Sequence, residues 1–139
     1  MSEDNKSVVR RFIELLNEKN TDDLGEVWAE DLVWHGAGGL GDVHGLDTFK
    51  QGLAPFFTAL PDLHTTIEDL VAENDRVALR VTTRATRTGD FMGIPPTGNT
   101  VEFIGIHVYR IADGKIAEEW FNDDLLTQMR QVGAVPSGS

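Results

Sequence analysis

The chain lacks cysteine altogether, and basic residues are few: 12 lysine and arginine residues stand against 23 aspartate and glutamate residues in 139 positions. The absence of cysteine excludes disulfide bonds and thiolate zinc sites. The formal net charge of −11 disfavours nucleic acid and anionic membrane surfaces as partners, because an acidic surface repels both. No stretch approaches the roughly 20 apolar residues of a membrane span. Residues 1–20 are charged throughout and contain no signal-peptide core, so we expect a cytoplasmic protein.

The remaining composition is that of one small globular domain. Apolar residues make up 40% of the chain. A chain of roughly 150 residues buries about 70% of the surface that its unfolded form exposes, which is enough for a core and an internal pocket. We therefore expect a single domain over residues 1–139.

Apolar residues recur at three-and-four spacing in two segments, which predicts two amphipathic helices. The first runs from Lys6 to Asn20, and the second covers residues 46–60, where Pro55 is expected to kink or restart the helix. Between them we expect a short helix after Thr21, a brief strand over residues 32–35 and a glycine-rich loop.

In the second half of the chain the apolar period changes to two, which predicts strands with unlike faces. The Asp113-Gly114 pair predicts a tight hairpin turn between the last two of them. The expected elements are strands over 63–68, 77–84, 101–111 and 116–122, a glycine- and proline-rich turn over 89–99, and a short closing helix over 125–132.

This order of elements, helices first and then consecutive hairpin-connected strands, predicts an α+β fold. We expect a curved antiparallel sheet wrapped around the N-terminal helices. Such a sheet leaves a cone-shaped cavity between itself and the helices, which is a suitable place for a small apolar ligand.

The last two strands contain the residues best suited to chemistry. Alternation places His107 among aromatic residues on one face of its strand, and Asp123 and Asp124 follow Trp120 at the end of the next strand. A carboxylate beside Trp120 in an apolar cavity has a raised pKa and is suited to act as a general acid or base. Alternatively, either aspartate caps the helix that starts at Leu125, which lowers its pKa.

The histidines allow two interpretations. His107 and His35 are each as compatible with a hydrogen-bonded core position as with a catalytic role. No histidine pair has the spacing of metal ligands on one helix, so we expect no metal. No Gly-x-Ser-x-Gly motif is present, which disfavours a serine nucleophile.

Several segments together resemble a known family. They are the run GDFMGIPPTG at residues 89–98, Ile106-His107-Val108-Tyr109-Arg110, Asp113-Gly114-Lys115-Ile116, Glu119-Trp120 and Gln131-Val132-Gly133. They are similar to segments of the SnoaL-like polyketide cyclases, and weaker similarity extends over nearly the whole chain. The resemblance implies the cone-shaped α+β fold of the nuclear-transport-factor-2-like superfamily.

The resemblance also implies a reaction and a set of residues. Characterised cyclases of this family close a ring by an intramolecular aldol condensation without a cofactor, using an aspartate four residues after the strand tryptophan, here Asp124. The spacing from Asp124 to Gly133 also matches the family. The pocket histidines of the family correspond to His107 and His35. Candidate substrate-contacting residues are Trp28, Trp34, Phe57, Phe103, Tyr109, Trp120 and Asn122.

We therefore expect an enzyme that performs enolate chemistry on a small apolar or aromatic carbonyl compound without cofactor or metal. One alternative is a noncatalytic small-molecule-binding module with the same cavity. Another is a hydroxylase, dehydratase or isomerase of the same fold, because a fold alone does not determine a reaction. Apolar side chains at Ile104, Ile106 and Val108 are expected on the outer sheet face, which predicts a homodimer.

Overall fold

The computed structural model describes residues 2–36, 41–86 and 100–124. Within these ranges, no helix is both long and apolar enough to cross a membrane. The turn at 89–99, the closing helix at 125–132 and part of the glycine-rich loop, all expected from the sequence, lie outside the described residues. The elements are α1 (Ser2–Asn17), a 3-10 turn (Leu24–Glu26), β1 (Trp28–His35), β2 (Asp42–His44), α2 (Leu46–Ala59), β3 (His64–Glu73), β4 (Arg76–Thr86), β5 (Thr100–Ala112) and β6 (Lys115–Asp123).

The six strands form one curved, unclosed sheet in the order β2-β1-β6-β5-β4-β3. Both helices pack against one face of this sheet, which we call the inner face; the opposite face is the outer face. The α+β class and the sheet wrapped around the helices are therefore confirmed. One pair differs from the antiparallel sheet that the sequence predicts, because β1 runs parallel to β6. Alternation within a strand indicates its two faces but contains no information about a partner far along the chain.

Helix α1 packs through the apolar face that its spacing predicts. Val9, Phe12 and Leu15 are buried, and the helix spans Ser2–Asn17, so it starts and ends earlier than the predicted Lys6 to Asn20. At its end, the Asn17 amide group donates to the Thr65 carbonyl (2.9 Å) and accepts from the Thr65 backbone N–H (2.8 Å). These two bonds attach the helix to β3 and fix the distance between helix and sheet.

An aromatic cluster forms the closed end of the core. Trp28, at the start of β1, is fully buried, and its ring lies 5.1 Å from that of Phe12 and 4.6 Å from that of Phe49. Tyr109 completes the cluster, with its ring 6.3 Å from Trp28. The predicted short helix here is only a 3-10 turn, because the extended segment that leads into the sheet begins as early as Trp28.

Helix α2 continues through Pro55 from Leu46 to Ala59 and does not restart there. Proline lacks the N–H that would bond to the carbonyl of Gln51. Both residues are exposed, so water can bind that carbonyl group. The lost intrahelical bond is therefore tolerated, while Phe49 keeps the opposite side of the helix buried.

The strands follow the predicted alternation on β4 and β5, and the predicted hairpin turn is present. Asp113 and Gly114 have φ values of 52° and 77°, as a two-residue turn between twisted strands requires. Beyond this turn, the β5–β6 ladder shifts by one residue between Arg110 and Ile111. This irregularity decides which side chains of β6 reach the inner face.

Candidate active site

A cavity of about 310 Å³ lies between the two helices and the inner face of the sheet. Most of its wall is apolar, and the polar side chains are confined to strands β3 to β6. The lining residues are Phe12, Ile13, Leu16, Trp34, Val43, Phe49, Gly52, Leu53, Phe56, Leu63, Thr65, Leu79, Val81, Thr83, Phe103, His107, Tyr109, Glu119, Phe121 and Asp123.

His107 of β5 is held between two carboxylates of β6. Its Nδ1 lies 2.7 Å from Glu119 Oε2, and its Nε2 lies 3.0 Å from Asp123 Oδ1. An ionised carboxylate only accepts hydrogen bonds, so both ring nitrogens must donate, which they do together only in the imidazolium form. We call these three residues the carboxylate–histidine clamp.

The electrostatics of the clamp agree with this proton assignment. Burial by itself lowers the pKa of His107, but the hydrogen bonds and negative charges of Asp123 and Glu119 outweigh burial and raise the pKa to about 9. The imidazole is therefore protonated at neutral pH. The positive charge of His107 therefore lies in a mainly apolar cavity wall, paired with a carboxylate on each side.

Glu119 is the most enclosed member of the clamp, with 4% of its side chain exposed, compared with 20% for Asp123. Tyr109 lies beside it, and its hydroxyl oxygen is 3.4 Å from His107 Nδ1. Burial first, and then the negative charge of Glu119, raise the pKa of Tyr109 well above its ordinary value, so the phenol stays protonated. Glu119 is thus placed to orient His107, and Asp123 is the more accessible carboxylate.

Four of the residues expected from the sequence do line the cavity. His107 and Tyr109 belong to its polar wall, and Trp34 and Phe103 belong to its apolar wall. Trp34 stacks on Phe121, with ring centroids 4.8 Å apart. These aromatic surfaces flank the clamp and give a flat ligand faces to pack against.

The two aspartates at the end of β6 differ in position. Asp123 is the last strand residue and contributes an oxygen to the clamp, whereas the Asp124 side chain is exposed and is absent from the cavity wall. The Asp124 backbone N–H donates to the carbonyl of Ile104, which extends the β5–β6 ladder. Alternation along an extended strand turns neighbouring side chains to opposite faces, so Asp123 and Asp124 do not share the cavity.

His35, Trp120 and Asn122 lie on the outer face, which corrects their expected place in the pocket. His35 Nε2 lies 2.6 Å from Glu118 Oε2, and the His35 ring stacks on Trp120 at 5.1 Å. Arg110 donates to the same Glu118 carboxylate (2.9 Å). The hydrogen bonds from His35 and Arg110 lower the pKa of Glu118. This outer cluster is separated from the clamp by the thickness of the sheet.

Two further aromatic residues expected at the pocket lie elsewhere. Trp28 is fully buried in the core cluster and has no side chain surface in the cavity wall. Phe57 is likewise outside the wall, and its neighbour Phe56 lines the cavity instead. Consecutive side chains on a helix point in directions that differ by about 100°, so Phe56 faces the cavity and the adjacent Phe57 does not.

Sequence reasoning missed Glu119 and Phe121 as inner-face residues, and it left open which of Asp123 and Asp124 faces the cavity. A regular two-residue hairpin at Asp113-Gly114 would pair His107 with Trp120, but the one-residue shift in the ladder pairs His107 with Phe121. The signal in the sequence is the apolar doublet Ile116-Ala117, both members of which are buried. Two consecutive buried residues interrupt the alternation and mark the bulge.

Among the described residues, no group of three or more histidine or acidic side chains is arranged to hold a metal ion. In the clamp, the Asp123 carboxylate can accept a proton and His107 supplies a positive charge. The cavity wall around them is mainly apolar. These are the requirements for removing a proton next to a carbonyl group and stabilising the resulting negative charge.

The family profile described as SnoaL-like polyketide cyclase matches residues 6–132. Comparison with proteins of curated function gives no match. Among solved structures, the chain is similar to IdmH of Streptomyces antibioticus, described as a candidate polyketide cyclase, with 30% identity and a TM-score of 0.81 over 93% of this chain and 98% of that chain.

Two further structures share the fold. AclR of Streptomyces galilaeus, described as a candidate hydroxylase, is 27% identical with a TM-score of 0.86 over 98% of this chain and 100% of that chain. A candidate SnoaL-like polyketide cyclase from Jannaschia Sp. CCS1 is 23% identical with a TM-score of 0.87, over 98% of this chain and 96% of that chain. At 23% identity, the similarity to the Jannaschia protein concerns the fold alone.

Proposed function

Since this chain belongs to the SnoaL-like polyketide cyclase family, we propose that it catalyses enolate chemistry on an apolar or aromatic carbonyl compound bound in the cavity. The observation that carries this proposal is the clamp: His107 is held between Glu119 and Asp123 in a wall that is otherwise mainly apolar. A cavity that only enclosed an apolar molecule would not require a buried glutamate, a half-buried aspartate and a histidine in its wall.

In the proposed reaction, Asp123 is the acid and base. Its carboxylate removes a proton from the carbon next to a carbonyl group, and the electron pair of that C–H bond moves to give an enolate. The enolate carbon forms a bond to a second carbonyl carbon, whose C=O π bond breaks to give an alkoxide. The alkoxide then takes the proton back from Asp123, so the step is balanced without a cofactor.

The other two members of the clamp have supporting roles. The positive charge of His107 stabilises negative charge that develops on the substrate oxygen, because charges interact strongly in a cavity that excludes water. Glu119 is a positioning residue: it acts through His107 by fixing the ring and keeping it protonated. Tyr109 contributes an aromatic surface and a protonated hydroxyl group next to the clamp.

The spacing of the family motif favours Asp124 as the acid and base, and the cavity geometry favours Asp123. We assign the role to Asp123 because its carboxylate is the one that reaches His107 and the cavity. The adjacent Asp124 offers a matched control, since an aspartate-to-asparagine change there alters the same charge one residue away on the exposed side.

Deuterium exchange tests the proposal without the natural substrate. Acetylnaphthalene is an aromatic methyl ketone, and proton NMR in deuterated buffer follows the loss of its methyl protons as they exchange through the enolate. We expect the wild-type protein to accelerate this exchange and Asp123→Asn to reduce it by about 100-fold, a typical effect of losing a general base. Asp124→Asn should retain most of the wild-type rate.

The outcomes discriminate between the alternatives. Loss of exchange in Asp124→Asn with retention in Asp123→Asn would transfer the role to Asp124. A wild-type protein that binds acetylnaphthalene and exchanges nothing would instead indicate a noncatalytic small-molecule-binding module with the same cavity.

The outer face supports a second part of the proposal, a homodimer. Ile104 and Ile106 project from the middle of β5 with 52% and 54% of their surfaces exposed. Two large aliphatic side chains side by side on a sheet favour burial against another surface. A second copy of the chain offers the same patch, as a twofold symmetric interface requires.

A further inference from the structure

The cavity contains a second polar position that the clamp does not include. Thr65 of β3 and Thr83 of β4 are direct cross-strand partners on the inner face, and both line the cavity. Their hydroxyl oxygens lie 3.1 Å apart, and the residues are only 5% and 6% exposed. Their immediate neighbours in the wall are apolar, among them Leu63, Phe103 and Val81.

The two threonines satisfy only part of each other's hydrogen-bonding capacity. Each hydroxyl group has one proton to donate, and one of the two protons is used in the bond between the pair. The other has no acceptor within the described residues. A buried donor without an acceptor is unfavourable, by roughly 1–3 kcal/mol in general, so this pair is suited to donate to an oxygen atom of a ligand in the cavity.

The register of the sheet gives the distance between the threonine pair and the clamp. Asp123 pairs with Gly105, Gly105 pairs with Val81, and Thr83 lies two residues beyond Val81 on the same strand. Two strand spacings of about 4.8 Å and two residues of about 3.3 Å each place the Cα atoms of Asp123 and Thr83 roughly 12 Å apart. Between them the wall is apolar, because Val81 and Gly105 offer no polar side chain.

We propose that Thr65 and Thr83 form a second polar subsite, which binds a hydroxyl or carbonyl oxygen at the far end of a substrate whose reacting ketone lies at the clamp. The preferred substrate class is then a flat, apolar compound about two fused rings long with oxygen atoms at both ends. The inference rests on the proposed function for the position of the reacting ketone. The threonine pair sets the specificity for the second oxygen.

Two probes that differ by a single hydroxyl group test this inference. The first is acetylnaphthalene, and the second is a hydroxyacetylnaphthalene with its hydroxyl group on the ring away from the acetyl group. Quenching of protein tryptophan fluorescence gives a dissociation constant for each. We expect the wild-type protein to bind the hydroxylated probe roughly fivefold more tightly, the effect of one net hydrogen bond.

The ratio of the two dissociation constants is the decisive quantity. In the double variant Thr65→Val/Thr83→Val it should fall to near one, because valine has the shape of threonine but no hydroxyl group. Thr66 and Thr82 form the equivalent cross-strand pair on the outer face, so Thr66→Val/Thr82→Val is a matched control that should keep the wild-type ratio. The variant Thr65→Ser/Thr83→Ser restores the hydroxyl groups and should restore the preference.

An equal ratio in the wild-type protein and the inner valine pair overturns the inference, as does a wild-type protein that binds both probes equally or neither. If the inner valine pair does not fold, Thr65→Ala/Thr83→Ala, which also removes both hydroxyl groups, takes its place, and an unchanged ratio in that variant overturns the inference equally. Deuterium exchange is measured separately on the same samples. A wild-type protein that exchanges deuterium but shows no preference for the hydroxylated probe contradicts the subsite alone. A wild-type protein that shows the preference but catalyses no exchange contradicts the proposed chemistry alone.

Discussion

Gly105 lies directly across the β5–β6 ladder from Asp123, and a Cβ atom at Gly105 would overlap the Asp123 carboxylate oxygen that contacts His107. The contact between Asp123 and His107 therefore depends on a missing side chain on the neighbouring strand. The backbone of Gly105 has no unusual conformation that would by itself require glycine. The position is glycine because the clamp occupies the space.

This relationship predicts the effect of Gly105→Ala. The added methyl group must displace Asp123 from His107, so we expect the exchange rate to fall towards that of Asp123→Asn, with a loss of about 1–3 kcal/mol in the free energy of unfolding. Urea denaturation and proton NMR measure the two effects. The same substitution at Gly52, in α2, meets no atom within 4 Å and should stabilise the helix by up to about 1 kcal/mol. Wild-type exchange in Gly105→Ala would contradict the steric argument.

The raised pKa of His107 predicts a pH dependence of stability. Its pKa is about 9 in the folded protein and 6.5 ordinarily. Below about pH 6.5 both states bind the proton and the full stabilisation from the clamp is present; as the pH rises from 6.5 through 9, only the folded state still holds the proton and the contribution is lost. Urea denaturation across this range should show the decline, and His107→Gln should flatten it. If stability declines with pH in His107→Gln as it does in the wild-type protein, titratable groups other than His107 cause the decline.

Glu119→Gln tests the positioning role of Glu119. Glutamine keeps the shape and an acceptor oxygen but removes a negative charge 2.7 Å from the His107 ring, so the pKa of His107 should fall. Two-dimensional NMR of the imidazole resonances gives this pKa directly. The exchange rate of the variant should fall most above neutral pH, where the ring loses its proton. A His107 pKa that stays at about 9 would show that Asp123 alone maintains the charge.

The two histidines that the sequence suggests for catalysis should behave differently. His107→Gln removes the positive charge of the clamp, and we expect the exchange rate to fall by about 100-fold. His35→Gln changes only the outer cluster with Glu118 and Trp120, so exchange should stay near the wild-type rate. His35→Gln should lower the free energy of unfolding by about 1 kcal/mol at most, the typical contribution of one hydrogen bond. Equal loss of exchange in both variants would contradict the assignment of His35 to the outer face.

The homodimer is testable through Ile106. Sedimentation equilibrium should give twice the chain mass for the wild-type protein, and Ile106→Lys should yield monomers, because a lysine in the middle of the patch places unpaired charges in the interface. Glu102→Lys, a charge reversal at an exposed position on the same strand, serves as a comparison outside the Ile104–Ile106 patch. A wild-type monomer at high protein concentration would contradict the prediction.

Local patterns in the sequence were sufficient for the α+β class and for the inner face of β5. Phe103, Gly105, His107 and Tyr109 alternate with exposed aliphatic residues, and the structure places all four inward. Alternation along β6 also separates Glu118, Trp120 and Asn122 from Glu119, Phe121 and Asp123. It did not indicate which set faces the helices, since the bulge near Ala117 changes the register by one residue.

Residue type was also a poor guide to the position of Trp120, because a tryptophan is expected in an apolar pocket. Trp120 instead covers part of the outer face, where its ring stacks on His35 and lies under the Arg76 guanidinium at 5.2 Å. Glu119, which is expected to be exposed, is buried because His107 supplies its counter-charge. The positions of Trp120 and Glu119 depend on contacts with residues far along the chain, and the local sequence pattern carries no information about those contacts.

The parallel pairing of β1 with β6 has a consequence for how the protein reaches this structure. The strand that ends at His35 cannot join the sheet until the strand that begins at Lys115 has formed. During synthesis, the first helix and β1 leave the ribosome well before their partner exists, with Trp28 and Leu32 still exposed to water. Closing so long a loop is entropically costly and slows folding. We therefore expect the β3–β4–β5 meander, in which consecutive strands are paired, to form first, and β1 to dock last beside β6 and close the aromatic end of the core.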